Sequence, residues 1–313
     1  MYEIEKIKNK IIHGDVLKEL EKIPGESIDC ITTSPPYYGL RDYGVKGQLG
    51  LEKTLDAYIG KMLLITAEFR RVLKSTGTLW WNHGDSYGGS GMGVGSKIKK
   101  ESFQHNKRPA TERGYEKCLS LQAHRLAIRM IDEQGWILRN TIIWNKPNCM
   151  PSSAKDRFTV DYEPIFFFSK SKKYFFEPQY EPSIWYKKDK RAITGGITKS
   201  GKSITQQGNQ YAINKSGSFN HNSPGERNKR SVWRIPTQPF PEAHFATFPE
   251  ALVETPIKAG CPQKGIVLDP FFGAGTTGLV ALKLNRNFIG IELSKEYIKI
   301  AEDRLRPFRN KLF

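Results

Sequence analysis

The chain has few cysteines, a shortage of acidic residues and no long apolar run, and each deficit removes a class of function. Its four cysteines, Cys30, Cys118, Cys149 and Cys261, are scattered and form no C-x-x-C pair. Neither a zinc site nor a disulfide framework is signalled, and reduced thiols are expected. The six histidines, among them His13, His83 and His124, show no H-x-x-x-H spacing, so no metal is expected. No apolar stretch approaches the roughly 20 residues a membrane helix needs, and the opening Met1-Tyr2-Glu3-Ile4-Glu5-Lys6 has no apolar signal core. The expectation is a soluble, cytoplasmic protein with no membrane partner. Asp plus Glu number 32 against 49 Lys plus Arg, a formal net charge of +17 over 313 residues. An excess of that size on a chain long enough for a large core points to a polyanionic partner, nucleic acid first.

What the chain does have is an α/β pattern. Residues 10–15 read as a strand, 16–21 as a helix and 27–33 as a second strand. Apolar residues from Leu55 to Leu73 recur at three- and four-residue spacing and predict a helix over 54–74 that Gly77 stops. A strand over 78–82, a helix over 119–134 ended by Gly135, a strand over 136–144 and a hairpin of 162–168 with 173–176 follow. Near the end the pattern resumes, with helices over 248–258, 276–284 and 295–305 and strands over 265–269 and 288–292.

Two stretches interrupt it. Residues 86–113 are rich in Gly and Lys without a period and are expected to form a mobile loop. From Pro178 to Arg234 the chain is basic, with Lys187, Lys188, Arg191, Arg227, Lys229 and Arg230 among its cations, only Glu181, Asp189 and Glu226 against them, and Trp185, Tyr186, Tyr211, Phe219 and Trp233 interleaved. Cations mixed with aromatics suggest a separate module or a partly disordered insert over 178–235, whereas a solvated linker is the plainer alternative. The flanking parts, 1–177 and 236–313, would then form one α/β body.

Two motifs carry chemistry. Asp269-Pro270-Phe271-Phe272-Gly273-Ala274-Gly275-Thr276-Thr277-Gly278 places a G-x-G-x-x-G between strand and helix, with Glu292 ending the next strand. The glycines admit close backbone approach, the helix amides offer donors, and the acid suits ribose hydroxyls. A nicotinamide or flavin dinucleotide fits that spacing. S-adenosyl-L-methionine fits it too, and Asp269 at the strand end opposes a pyrophosphate while attracting an ammonium group. Few residues follow Glu292, so the remaining strands of such a sheet must come from the N-terminal part. That part contains the second motif, Thr33-Ser34-Pro35-Pro36-Tyr37, directly after an apolar strand. No strand continues through Pro-Pro, because neither amide has an N–H.

In this reversed order the two motifs resemble those of the permuted, β-type DNA amino-methyltransferases, the family specific for N4 of cytosine or N6 of adenine. The resemblance covers most of the chain, including His13-Gly14-Asp15 and residues 244–260. It implies a Rossmann-like S-adenosylmethionine-dependent methyltransferase fold with a circularly permuted mixed sheet, 178–235 as an inserted target-recognition region, and double-stranded DNA as partner. It also implies a cognate restriction endonuclease acting on the same site, and a monomer or homodimer. Ser34, Pro35, Pro36 and Tyr37 are the expected catalytic residues. Ser34 Oγ and the Pro35 carbonyl would accept from the exocyclic amine and aim its lone pair, and Tyr37 would stack on a flipped-out base. Asp15, Phe248, Asp269, Pro270, Phe271, Gly273, Gly275, Thr276, Thr277 and Glu292 are the expected cofactor residues, although Asp15 serves equally as a helix cap and Phe248 and Phe271 as core. Ser in the first position resembles the N4-cytosine branch, and Asp or Asn there the N6-adenine branch. C5 methylation needs a Pro-Cys nucleophile, and here Cys261 precedes Pro262 instead. RNA methylation, a non-enzymatic DNA-binding protein and an NAD-dependent dehydrogenase are the competing readings.

Overall fold

The structure is a computed structural model that describes residues 1–88, 116–182, 226–238 and 248–309. Short apolar runs form its strands and amphipathic runs its helices. After α1 (Ile4–Ile7) come β1 (Lys10–His13) and α2 (Val16–Leu20), whose first turn Asp15 caps by accepting from the Lys18 amide at 3.2 Å. Next stand β2 (Ile28–Thr33) and α3 (Leu55–Val72), the latter capped by Thr54 Oγ1 accepting from the Ala57 amide at 3.1 Å. Then follow β3 (Leu73–Asn82), α4 (Gln122–Gln134), β4 (Ile137–Asn145) and β5 (Tyr162–Ser169). The short strands β6 (Tyr180–Pro182) and β7 (Glu226–Asn228) pair antiparallel with each other. After them come β8 (Val232–Arg234), α5 (Glu250–Gly260), β9 (Ile266–Asp269), α6 (Thr276–Lys283), β10 (Asn287–Glu292) and α7 (Lys295–Arg309).

Eight strands make one sheet in the order β1-β10-β9-β2-β3-β5-β4-β8. The first five of that order are parallel neighbours, and β5 runs antiparallel to both β3 and β4. Thus β9 and β10, late in the chain, lie between β1 and β2. Side chains alternate across the sheet. Ile31, Leu79, Trp81 and Leu268 face a core shared with α3 and α4, whereas Cys30, Trp80, Phe167 and Val267 face one shared with α5 and α6. On that second face Trp80 and Phe167 stack with centroids 4.0 Å apart, worth about 0.5–1.5 kcal/mol beyond their area. Buried Asp29 pins the sheet where β2 meets β9, because Oδ2 accepts from the Ile266 amide at 2.8 Å and Oδ1 from Lys74 at 2.7 Å.

By internal contacts the chain divides into a unit of Met1–Glu177 with Ser231–Phe313 and a second unit of Pro178–Arg230. The second unit ends earlier than the expected 235, because Val232–Arg234 adds to the main sheet beside β4. Two local expectations also differ. Gly77 stops no helix: α3 ends at Val72, and Gly77 lies inside β3, where the six residues from Leu73 to Thr78 face the three from Ile28 to Cys30. Residues 173–176 form no hairpin arm, because both edges of β5 are already taken by β3 and β4; Tyr174 and Phe176 instead lay their rings on Phe167, each at 5.7 Å. Most of the expected loop over 86–113 lies outside the described residues.

Candidate active site

The strand order reverses between β9 and β2, and open α/β sheets leave a crevice beyond the C-terminal strand ends at such a point. A cavity of about 330 Å³ occupies it. One wall is Ser34-Pro35-Pro36-Tyr37, the continuation of β2. The prolines end the ladder, because neither amide has an N–H to donate. Tyr58 donates to the Pro36 carbonyl at 2.8 Å and its oxygen lies 3.0 Å from His83 Nε2. Burial lowers the His83 pKa to about 3, so the ring is neutral. Tyr37 turns its hydroxyl to Ser34 Oγ at 3.0 Å, Glu163 Oε2 at 3.0 Å and Asn82 Oδ1 at 3.4 Å. Burial first, and then the Glu163 charge, raise its pKa well above the ordinary value. Glu163 is ion-paired with Lys146, whose ammonium also lies 4.3 Å from the centre of the Trp144 ring.

The opposite wall is the loop from β9 into α6, with Pro270, Phe271, Gly273 and Thr276 facing the cavity. Gly273 and Gly275 have φ of 50° and 78°, the left-handed region that glycine enters without strain, and the chain turns there into the helix. Glu292, at the end of β10, accepts from the Gly273 amide at 2.7 Å and the Ser294 amide at 2.8 Å. A carboxylate offers about four lone-pair sites, so it keeps acceptors for a ligand. Burial raises its pKa. Asp15 and Phe248 also line the cavity.

Three expected residues stand behind the wall instead. Asp269, 1 % exposed, accepts from Thr33 Oγ1 at 2.6 Å, Thr277 Oγ1 at 2.6 Å and the Phe271 amide at 3.1 Å. Burial raises its pKa to about 6 against these donors. The carboxylate therefore joins the end of β2 to the glycine loop and offers no free face to a ligand. Thr277 is consumed in the same bond, and Gly275 shapes the turn. Of the expected DNA-binding residues, Lys187, Lys188 and Arg191 lie outside the described residues. In the second unit, Arg227 and Arg230 donate to Glu181 at 2.9 and 2.6 Å, and the Lys229 amide donates to the Gln179 carbonyl at 2.8 Å.

The sequence reading missed Asn82, Lys146, Glu163 and Tyr297, all of which line the cavity. A signal existed for the first three: Asn82 and Lys146 are polar residues at or just past strand ends, and Glu163 is the one charge in an apolar strand. Tyr297 gives none, since a tyrosine in the first turn of an amphipathic helix reads as ordinary packing. Arg41 and Tyr43, which follow the Pro-Pro motif, line the cavity too. Among the described residues no cluster of three or more His, Cys, Asp or Glu could hold a metal ion, and no helix is long and apolar enough to cross a membrane.

Residues 28–303 match the N6/N4 methyltransferase family, described as DNA methylase. The chain is 40 % identical over 298 residues to the Type II methyltransferase M.XycI of Xanthomonas campestris pv. cyanopsidis, covering 95 % of this chain and 87 % of the relative. In fold it is similar to the PvuII DNA methyltransferase (cytosine-N4-specific), with a TM-score of 0.63, 21 % identity, and 97 % and 90 % of the two chains covered. It is likewise similar to the M1.HpyAVI–SAM complex, with a TM-score of 0.53, 20 % identity, and 94 % and 98 % covered.

Proposed function

Since this chain belongs to the N6/N4 DNA methylase family, we propose that it is a site-specific DNA methyltransferase that modifies the exocyclic N4 amine of cytosine, with S-adenosylmethionine as methyl donor. The observation that carries this reading is the placement of Ser34, at the end of β2, across one cavity from Glu292 and the glycine loop. The residues present fit the donor. Phe248 and Phe271 supply ring faces for an adenine, Glu292 supplies acceptors for ribose hydroxyls, and a cavity of about 330 Å³ lies within the roughly 300–1,000 Å³ range of small-molecule sites. When bound, S-adenosylmethionine supplies an electrophilic methyl group on a sulfonium.

The rest is done by this chain. An exocyclic amine is a poor nucleophile while its lone pair is delocalised into the ring. Ser34 Oγ accepts from one amine hydrogen and the Pro35 carbonyl, which accepts no hydrogen bond among the described residues, accepts from the other, and together they hold the lone pair out of the ring plane. Orientation of this kind is worth on the order of 7–11 kcal/mol. Pro35 and Pro36 keep the carbonyls from turning, and the Tyr58 bond fixes the second of them. A base in duplex DNA reaches this cavity only by flipping out, at a cost of a few kcal/mol. The choice of cytosine is supported by Ser, rather than Asp or Asn, at position 34. The relatives' Type II character supports a companion endonuclease reading the same site.

The test is to incubate the purified protein with S-adenosylmethionine and unmethylated genomic DNA, digest to nucleosides and identify the product by mass spectrometry. N4-methylcytosine is expected. N6-methyladenine in its place would overturn the cytosine assignment, and no methylated nucleoside would overturn the reading as a whole.

A further inference from the structure

Ser34 carries one hydroxyl proton, and its direction decides whether the oxygen meets a base as donor or acceptor. Around the Tyr37 oxygen stand Ser34 Oγ, Glu163 Oε2, Asn82 Oδ1 and the Gly84 amide; the amide can only donate, and the Glu163 and Asn82 oxygens can only accept. Glu163 Oε2, of a carboxylate already ion-paired to Lys146, lies at 3.0 Å. Asn82 Oδ1 lies at 3.4 Å, with its own amide nitrogen donating to the Pro164 carbonyl at 3.3 Å. The Tyr37 proton therefore goes to one of these acceptors, Glu163 being the nearer. That leaves the Tyr37 oxygen as an acceptor, and Ser34 Oγ, 3.0 Å away, donates to it.

We propose that Glu163 is a positioning residue that, through Tyr37, locks Ser34 as a pure hydrogen-bond acceptor, so that the site admits a base edge bearing an exocyclic amine and rejects the same edge bearing a keto oxygen. A keto oxygen would bring a second acceptor against Ser34 with no proton between them, the arrangement that makes hydrogen-bonding sites discriminate strongly. The inference rests on the proposed methylation of an exocyclic amine but not on which base carries it. Glu163 sits at the start of β5, which β3 separates from β2 in the sheet, and Gly84 keeps the path clear: a Cβ there would meet Tyr37 Cε2 at 2.5 Å.

The experiment measures equilibrium binding of short single-stranded oligodeoxynucleotides by fluorescence anisotropy, pairing oligo-dC with oligo-dU and oligo-dA with oligo-dI, for the wild type, Glu163→Gln, Tyr37→Phe and the double variant. One lost hydrogen bond of this kind corresponds to a preference of about 5- to 30-fold. The wild type is expected to prefer the amine member of at least one pair by that factor. Glu163→Gln, whose amide can donate to Tyr37, and Tyr37→Phe should each reduce the preference to below about twofold. The double variant should lose no more than either single one, since both act through one hydroxyl. Thermal midpoints and the dissociation constant for S-adenosylmethionine, measured on each variant, separate this from misfolding, and Asn82→Ala, which leaves Glu163 in place, should retain most of the preference. Preference for dA over dI alone would uphold the inference while contradicting the cytosine assignment. No amine preference in the wild type, or one kept intact in folded Glu163→Gln, would overturn the inference whichever nucleoside the methylation assay finds.

Discussion

Asp269 joins the two motifs, and its protonation has a sign that can be worked out. Burial raises its pKa from 3.8 to about 6, so between those values the folded chain holds a proton that the unfolded chain has released. Its contribution to stability is complete below about pH 4 and is lost as pH rises through 6. The Thr33 and Thr277 hydroxyls limit that loss, each donating at 2.6 Å to the ionised form. Thr277→Val keeps the shape and removes one donor to a buried charge, which costs about 1.5–3 kcal/mol. Urea unfolding at pH 8 should show that cost, and at pH 4.5 a smaller one, because a protonated carboxyl needs the donor less. An equal cost at both pH values would mean that the hydroxyl stabilises something other than the Asp269 charge.

At the scale of elements, α7 braces the glycine loop. Arg304 donates from the helix to the Ala274 carbonyl at 2.6 Å and to Thr276 Oγ1 at 3.1 Å, and it is not among the residues lining the cavity. Arg304→Ala should therefore weaken S-adenosylmethionine binding by about tenfold, the order of one or two hydrogen bonds, while the methylation rate at saturating cofactor stays within about twofold. Calorimetric titration with steady-state rates checks both. A rate that falls while affinity holds would show that the loop is not what Arg304 supports. Helices and parallel strands were legible because their apolar periods are long and their stops clear, and both motifs sit where the parallel strands end. The inward turn of Asp269 was not legible: a carboxylate at a strand end looks alike whether it faces a ligand or two threonines, and Thr33 is 236 residues away from it in sequence. Nor was the role of β5, because strand partners across an antiparallel crossing leave no mark in a single strand's period. Gly77 misled for a related reason, since a glycine after an amphipathic run marks an irregularity without saying whether helix or strand contains it.

For the whole molecule, the net charge of +17 predicts DNA binding that weakens steeply with salt. Each phosphate contact removed should lower the slope of log affinity against log salt by about 0.9. Replacing Lys187, Lys188 and Arg191 together with alanine should thus flatten the slope in a fluorescence titration of a duplex, and an unchanged slope would return that stretch to the solvated-linker reading. The sheet order has a consequence of another kind. Strands β1 and β2 are made early but are not neighbours; between them belong β9 and β10, encoded more than 230 residues after β2 begins. While a ribosome is still adding those residues, β2 presents an unpaired edge and β1 has no place in a sheet, and chains generally begin to fold from the N-terminus as they are made. Open edges of apolar strands are templates for wrong pairing. Loss of residues 266–292 would therefore remove more than a cofactor wall: it would take away the wedge that joins two separate fragments of sheet, and the shortened chain should be recovered as aggregate and not as a smaller soluble domain.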